Sequence, residues 1–392
     1  MAKTRTRIHA LRWLGFVAIT AIVSPEPLVA TGGGMYQGPE RAELKAAIQE
    51  LAVIQVRHED ALFDLPGVHG VGVTVDPGTR ELMFLVVTDR EDAVNQIPQE
   101  IEGVKAVAEV RERAELLDGG SGCIPCHADQ QPLPVQMGNS TGNPFYCSAC
   151  TLGFKACRLG EHYYVTNAHC SWDEAGCEGG APLGSDTLHV GMLDASPTCS
   201  ITTTIGEVAE HATPVCGQDN KVDAALIRSS HALTSWAIRD IGTPSTSPAW
   251  VVPSDPVQKS GRTTGETFGT VAATNYTADV GPFCCGSARF REQILVDANV
   301  APFFMGGDSG SALLMGSAVA GLLFAGEIQQ GTFAIANRIH NVIEALNLCG
   351  ANCWADYMDC LHICPPGCPE VCEEQLAQCC HSTGLDPNCE GW

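Results

Sequence analysis

The sequence YYVTNAHC at residues 163–170 begins as a run of β-forming side chains and ends beside a histidine, His169. Aromatic and β-branched residues favour strands, so this stretch predicts a strand with His169 at its end. A second stretch, VDAALI at residues 222–227, places Asp223 at the head of another apolar strand. Each stretch alone is a weak signal, because a lone histidine after a strand more often caps an element or fills a core.

A third stretch, GGDSGS at residues 306–311, places Ser309 in a glycine-rich turn between two β-like runs. Histidine, aspartate and serine thus follow in one of the known chain orders of a Ser-His-Asp triad. A serine hydroxyl is a poor nucleophile unless an imidazole takes its proton, as His169 would do for Ser309. Asp223 would accept the other imidazole N–H and fix the tautomer. The three stretches together predict a catalytic site at His169, Asp223 and Ser309.

These stretches resemble the motifs of the chymotrypsin-like (trypsin-like) serine peptidases, and more closely those of the bacterial secreted branch. Residues 167–170 resemble the histidine motif of that family, and residues 307–310 its nucleophile motif. Residues 259–265 (KSGRTTG) are similar to a strand-turn stretch of the bacterial branch, and residues 321–326 to the strand that holds the substrate backbone. The resemblance covers roughly residues 145–348 and implies two β-barrels.

The pattern of residues 146–348 agrees with this resemblance. Many short β-like runs are broken there by Gly, Pro, Asn and Ser, with little helical periodicity. Such a pattern predicts a mainly β fold, here a two-barrel chymotrypsin-like peptidase domain. Residues 335–348 have the apolar spacing of a helix, which is expected to close the domain.

Residues 40–116 contain no cysteine and predict a small α+β domain ahead of the barrels. Apolar spacing predicts, in order, a helix, two strands, a helix and a strand, at residues 42–63, 68–75, 82–87, 91–101 and 104–110. The domain is similar to domains that precede the peptidase in some bacterial relatives, which implies a possible pro-domain or folding aid. Residues 117–145 are rich in Gly, Pro, Ser, Asn and Gln and predict a linker.

The glycine-rich turn around Ser309 also predicts an oxyanion hole. Gly306 and Gly307 allow the backbone to turn, and the N–H groups of Gly307 and Ser309 would then point at one oxygen. Asp308 is expected to be structural. No Ile-Val-Gly-Gly-like start precedes Cys150, so activation by pairing Asp308 with a new N-terminus is not expected.

The resemblance implies a substrate pocket that is not tryptic. Phe303 stands where a tryptic enzyme carries an aspartate, and Met305 replaces the first cysteine of the family's disulfide beside the pocket. The pocket either accepts apolar or small side chains or is filled by phenylalanines. Its expected residues are Phe303, Phe304, Phe324, Ala325 and Gly326.

Residues 1–30 have the layout of a secretory signal peptide. Basic residues at 3–12 precede the apolar run 14–23 and a plausible cleavage site at 28–30. The alternative is an uncleaved membrane anchor, but the run is short for a span. No other stretch approaches eighteen apolar residues, so we expect a secreted or periplasmic protein with no membrane contact after signal removal. The formal charge of −23 argues against nucleic acid as a partner.

Export makes disulfides the expected fate of the twenty cysteines. The resemblance implies a Cys157–Cys170 bridge beside His169. Cys177, Cys199 and Cys216 are expected to pair among themselves or with Cys284 or Cys285.

The linker carries a further cysteine motif, Cys123-x-x-Cys126-His127, which matches a c-type haem attachment pattern. Together with Cys147 and Cys150 it also matches a four-cysteine zinc ribbon. Export favours disulfides over both alternatives, so no cofactor and no metal is expected.

Residues 349–392 hold nine cysteines and predict a disulfide-stapled α-helical hairpin. Six of them are arranged as a palindrome about Pro366, with spacings that keep cysteines on one helix face. Antiparallel helices would then pair Cys353 with Cys379, Cys360 with Cys372 and Cys364 with Cys368. The hairpin is either a structural cap or a binding module.

The sequence as a whole predicts an exported serine endopeptidase that cleaves proteins or peptides through an acyl-enzyme at Ser309. The alternative is a catalytically silent, disulfide-rich extracellular binding protein on the same fold. An intact triad favours the enzyme.

Overall fold

The computed structural model describes residues 38–116, 127–158, 161–171, 181–195, 198–283 and 286–348. The predicted signal peptide, Cys123, Cys126 and the cysteine-rich hairpin with its three pairs lie outside these ranges. Within them, no helix combines the length and apolar character that a membrane span requires.

The N-terminal domain follows the predicted order closely. Its elements are α1 (Pro39–Phe63), β1 (Val68–Val75), β2 (Leu82–Thr88), a 3-10 helix (Glu91–Gln96), β3 (Glu100–Ile101) and β4 (Val104–Val110). The predicted helix at 91–101 is thus a short 3-10 turn followed by a strand. A two-residue strand, β5 (Glu115–Leu116), then leads out of the domain.

The first β unit follows. Its strands are β6 (Val135–Met137), β7 (Ser140–Thr141), β8 (Cys150–Thr151), β9 (Phe154–Arg158), β10 (Glu161–Thr166), β11 (Asp186–His189), β12 (Thr203–Ala212), β13 (Asp219–Asn220), β14 (Ala224–Arg228) and β15 (Thr234–Ile238). Five of them form a sheet in the order β11-β12-β14-β10-β9. Its buried face forms one core with side chains of the C-terminal helix.

The second unit is a closed barrel. It comprises β16 (Pro256–Gly261), β17 (Gly265–Phe283), β18 (Gly286–Ala298), β19 (Ala312–Met315), β20 (Ala318–Gly326) and β21 (Phe333–Arg338), followed by α2 (Ile339–Ala345). Successive pairings β16–β17–β18–β21–β20–β19 return to β16, so the six strands form a ring. The predicted helix at 335–348 is therefore partly wrong, because its first residues form β21.

The N-terminal domain shares its sheet with the second barrel. Strand β1 pairs antiparallel with β17, for example Gly70 with Ala278. A Cβ at Gly70 would overlap the Tyr276 hydroxyl, and one at Gly72 would lie 2.9 Å from the same ring. These glycines are therefore required by the close approach of Tyr276.

Polar contacts reinforce this shared sheet. Arg41 on α1 pairs with Asp255 (2.6 Å), ahead of β16. The side-chain amide of Gln55 donates to the carbonyl oxygen of Asn275 (3.0 Å), and buried Glu59 pairs with Arg291 on β18. Buried, geometrically specific contacts of this kind make the N-terminal domain part of one folded body with the barrel.

The predicted linker at 117–145 is wrong for residues 135–143, which are mostly buried, whereas most of residues 128–134 are exposed. Val135 and Met137 are fully buried, and β6 pairs with β15. The backbone N–H of His127 donates to Arg262 (2.8 Å). Glycine, proline and polar residues signal irregular backbone, and at residues 135–143 that backbone is packed into the β unit.

Candidate active site

The structure places His169 and Asp223 in direct contact. Strand β10 ends at Thr166, which lies opposite Ala225 on β14. The pairing is antiparallel, so His169, after the end of β10, comes close to Asp223, just before the start of β14. The Nδ1 atom of His169 is 2.5 Å from Asp223 Oδ2, and both side chains are fully buried. The backbone N–H of His169 also donates to Asp223 Oδ1 (3.1 Å). A carboxylate in this position holds the Nδ1–H tautomer and directs Nε2 away from itself.

Two carboxamides fix Asp223 in turn. Asn167 donates to the backbone carbonyl of Asp223 (2.8 Å). Asn337 on β21 donates to the same carbonyl (3.1 Å) and accepts from the Asp223 N–H (3.1 Å). Asn337 was not found from the sequence, where its only signal is an amide inside an otherwise apolar run. It joins the two β units behind the His169–Asp223 pair.

Ser309 lies beside the histidine segment. Its carbonyl oxygen accepts from the Thr151 N–H (2.8 Å) and is 3.8 Å from Sγ of Cys170, the residue after His169. The hydroxyl of Ser309 is buried and has no hydrogen-bond partner among the described residues. The structure therefore places Ser309 next to the segment that carries His169, with the Ser309 hydroxyl buried.

The turn around Ser309 depends on its glycines. Gly307 (φ 94°) and Gly310 (φ 91°) have left-handed backbone, and a Cβ at either would clash with its surroundings. The Gly306 carbonyl accepts from Thr263 Oγ1 (2.5 Å), and the Asp308 carbonyl from the Ser311 N–H (2.9 Å). Because C=O and N–H point in opposite directions across a trans peptide, the N–H groups of Gly307 and Ser309 point away from these partners.

Asp308 is paired inside the chain. Its carboxylate lies 3.1 Å from Lys259 Nζ, with both side chains fully buried. It also accepts from the N–H of Thr263 (2.8 Å) and of Met305 (3.0 Å). Burial lowers the pKa of Lys259, and Asp308 opposes that shift. Lys259 thus supplies the cation beside Asp308.

Replacing Lys259 with methionine is expected to destabilise the fold by about 3–5 kcal/mol, because the change leaves the buried Asp308 carboxylate uncompensated. Urea unfolding of Lys259→Met in a Ser309→Ala background measures this. Lys221→Met is the matched control, since Lys221 pairs with Glu292 at the surface (2.6 Å) and should cost under about 1 kcal/mol. Equal losses of unfolding free energy in Lys259→Met and Lys221→Met would contradict the assignment of Lys259 as the counter-charge of Asp308.

The predicted pocket residues occupy different places. The Phe324 ring packs on Phe290 (4.7 Å between centroids) in one core cluster. Phe303 lies in another, and one of its ring atoms would be 3.2 Å from a Cβ at Gly269. Phe304 approaches the edge of β20, where a Cβ at Gly326 would lie 2.9 Å from its ring. Phe304 is thus the phenylalanine placed against the substrate-strand residues.

Ala325 and Gly326 are already paired with the chain itself. Strand β5 runs antiparallel to β20, with Leu116 opposite Ala325 and Glu115 opposite Gly326. On its other side Glu115 lies opposite Gly281 of β17. The segment that leaves the N-terminal domain therefore occupies the edge where the sequence resemblance places a substrate backbone.

The cysteine pairing corrects the sequence prediction. Cys150 is bonded to Cys170, so the expected Cys157–Cys170 bridge is wrong. The register explains why: Phe154 faces Val165 near His169, whereas Cys157 faces His162 at the far end of the hairpin. Cys157 is also disulfide-bonded, but to another cysteine. The bridge that supports His169 therefore begins before β9.

Cys199 also has an unexpected partner, Cys147. Because Cys147 and Cys150 are both oxidised, the zinc-ribbon alternative fails. The sulfurs of Cys150 and Cys170 lie within 4.8 Å of a His169 nitrogen, but disulfide sulfurs are not thiolate ligands.

The haem alternative also finds no support at His127. Both of its ring nitrogens are engaged within the protein, Nδ1 with the Gly138 carbonyl (3.0 Å) and Nε2 with Asp240 (2.9 Å). Neither nitrogen is available as an axial ligand in this arrangement.

No protein-family model matches the chain, and no curated protein does so either. Similar solved structures include a glutamic acid-specific serine protease (21% identity, TM-score 0.41), which covers 54% of this chain and 98% of its own. Thermobifida fusca protease A (21%, 0.39) and Cellulomonas bogoriensis chymotrypsin (23%, 0.37) each cover 54% of this chain and 96% of their own. At these identities and TM-scores, any function has to be argued from the site itself.

Proposed function

We propose that the chain is an exported serine endopeptidase that hydrolyses peptide bonds through an acyl-enzyme at Ser309. The observation that carries this proposal is the buried His169–Asp223 pair beside a serine whose hydroxyl has no partner among the described residues. The Cys147–Cys199 and Cys150–Cys170 disulfides support the export of the protein to an oxidising compartment.

Each catalytic group acts once while the acyl-enzyme forms and once while it is hydrolysed. His169 Nε2 takes the Ser309 proton while Oγ attacks the substrate carbonyl carbon. The N–H groups of Gly307 and Ser309 stabilise the resulting oxyanion, and Asp223 stabilises the imidazolium. The imidazolium then protonates the leaving amine as the peptide C–N bond breaks. Water repeats the sequence on the acyl-enzyme and regenerates the Ser309 hydroxyl.

The pocket disfavours a basic side chain before the cleaved bond. No carboxylate stands at position 303, and the Phe304 ring lies against Gly326. A lysine or arginine side chain would lose its hydration there without a counter-charge. Cleavage after basic residues is therefore disfavoured.

The N-terminal domain serves as an attached inhibitor in this proposal. Its shared sheet with β17 and the pairing of β5 with β20 support this role. A substrate backbone cannot pair with Ala325 and Gly326 while Glu115 and Leu116 do so. Activity then requires these residues to leave the edge of β20.

A fluorophosphonate probe tests the proposal directly, because it reacts with a serine only when a base activates it. The full-length chain should be labelled, and its Ser309→Ala variant should not. A catalytically silent binding protein on this fold, the second candidate, would take up no label in either chain. Since β5 covers part of the cleft, the same test is run on Arg111→Ala, which removes the ion pair between Arg111, ahead of β5, and Asp297 on β18. Absence of label in both the wild-type chain and Arg111→Ala would refute the proposal that the protein is an enzyme.

A further inference from the structure

The side chain of Asn143 connects the segment from Asn143 to Cys150 with the residue that follows His169. Asn143 Oδ1 accepts the backbone N–H groups of Phe145 (2.8 Å) and Tyr146 (3.2 Å). The Nδ2 atom of the same amide donates to the carbonyl of Cys170 (3.2 Å), the residue after His169. The Asn143 amide therefore bridges the backbone of Phe145 and Tyr146 and the backbone of the residue next to His169.

Covalent bonds hold the same segment at its other end. Cys147 is bonded to Cys199, and Cys150 to Cys170. Between them, the Ser148 carbonyl accepts from the Leu193 N–H (3.3 Å). The segment is thus a fixed support for the side chains that it exposes.

Phe145 and Tyr146 are the exposed aromatic side chains of this support. Phe145 is 42% exposed and Tyr146 39%, whereas the neighbouring Ser148 and Ala149 are buried. Two adjacent aromatic rings on a fixed backbone offer a large apolar contact surface at small entropic cost. Neither side chain contributes to the hydrophobic core clusters, so core packing does not account for the two rings.

The pairing of β5 with β20 indicates the direction of a substrate chain. Strand β5 shows the direction on the acyl side, since it runs along β20 from Gly326 to Ala325. The next residues of β20 approach Ser309, because the Gly310 N–H donates to Leu323 (2.9 Å) and the Leu323 N–H to Ser311 (2.9 Å). A chain that continues past Ser309 leaves β20 there.

The segment that carries the two rings ends next to Ser309. The Ser309 carbonyl accepts from the Thr151 N–H (2.8 Å), and Thr151 directly follows the Cys150–Cys170 bridge. We propose that Phe145 and Tyr146 form a subsite that binds an apolar or aromatic side chain on the leaving-group side of the cleaved bond. This inference rests on the proposed peptidase activity and adds a specificity that the β20 edge does not supply.

Two substrates with the same acyl sequence separate this subsite from catalysis. One is a peptide p-nitroanilide, which has no residues after the cleaved bond. The other is an internally quenched peptide with phenylalanine in the leaving group. In Phe145→Ala/Tyr146→Ala, kcat/KM for the quenched peptide should fall about tenfold, from the loss of aromatic contact. The p-nitroanilide should be cleaved as by wild type.

Leu183→Ala is the control variant, since Leu183 is also exposed (66%) but belongs to no part of the site. It should change neither substrate. Equal losses on both substrates in the double variant, or no loss on either, would overturn the subsite. Both substrates are also tested with Arg111→Ala, which removes the ion pair between the segment ahead of β5 and Asp297. If neither wild type nor Arg111→Ala cleaved either substrate, the peptidase proposal would fall and the subsite with it, a pattern distinct from a subsite error alone.

Discussion

An Asp223→Asn chain is expected to react with a fluorophosphonate probe about 10⁴-fold more slowly than wild type, because the base that activates Ser309 is lost. In the structure, Asp223 Oδ2 faces His169 Nδ1 at 2.5 Å. An asparagine amide in this place would present N–H to Nδ1 and force the imidazole proton onto Nε2. The Nε2 atom could then no longer accept a proton from Ser309.

The fold should survive this change. The His169 backbone N–H can still donate to the side-chain oxygen at position 223, and Asn167 and Asn337 bind only the backbone there. The labelling rate and the thermal unfolding midpoint are measured together. Asp186→Asn, at the exposed start of β11, is the matched control and should label like wild type. A loss below about tenfold in Asp223→Asn would mean that the carboxylate does not orient His169.

The candidate triad could be predicted because each of its members lies in a local pattern. A strand that ends at His169 and a glycine turn at Ser309 need only neighbouring residues to be recognised. Asn337 could not be found in this way, since it contributes from β21 through a contact 114 residues from Asp223. The same run was predicted as helix because a strand buried on both faces has no period that distinguishes it from a helix.

Strand register limited the rest of the sequence interpretation. Which cysteine approaches Cys170 depends on how β9 and β10 pair, and Cys157 and Cys150 both precede the histidine strand. The sheet shared by the N-terminal domain and the barrel was even harder to predict from sequence, because Gly70 pairs with Ala278, more than half of the chain length away. The absence of cysteine from residues 40–116 suggested a separate unit. Composition carries no information about such pairings.

The largest gain in reactivity is expected from Arg111→Ala. Arg111 precedes β5 and ion-pairs with Asp297 on β18, while its backbone carbonyl is bound by His69 Nε2 (3.1 Å). The guanidinium also lies 5.9 Å from the Phe333 ring. These contacts hold the segment that pairs with Ala325. Losing a charge-assisted contact worth about 1.4 kcal/mol would raise the open fraction, and with it the rate of Ser309 labelling, about tenfold.

Arg113→Ala is the matched control, because Arg113 pairs with Asp89 inside the N-terminal domain (2.6 Å) and with no barrel residue in the part of the chain that the structure describes. Its labelling rate should equal that of wild type. Proteolytic sensitivity of residues 38–110 distinguishes release of β5 alone from unfolding of the whole domain, since only unfolding exposes new sites in α1. If Arg111→Ala and Arg113→Ala labelled at the same rate, β5 would not limit access to Ser309. Faster labelling of Arg111→Ala alone would mean that the ion pair between Arg111 and Asp297 on β18 keeps β5 on the edge of β20.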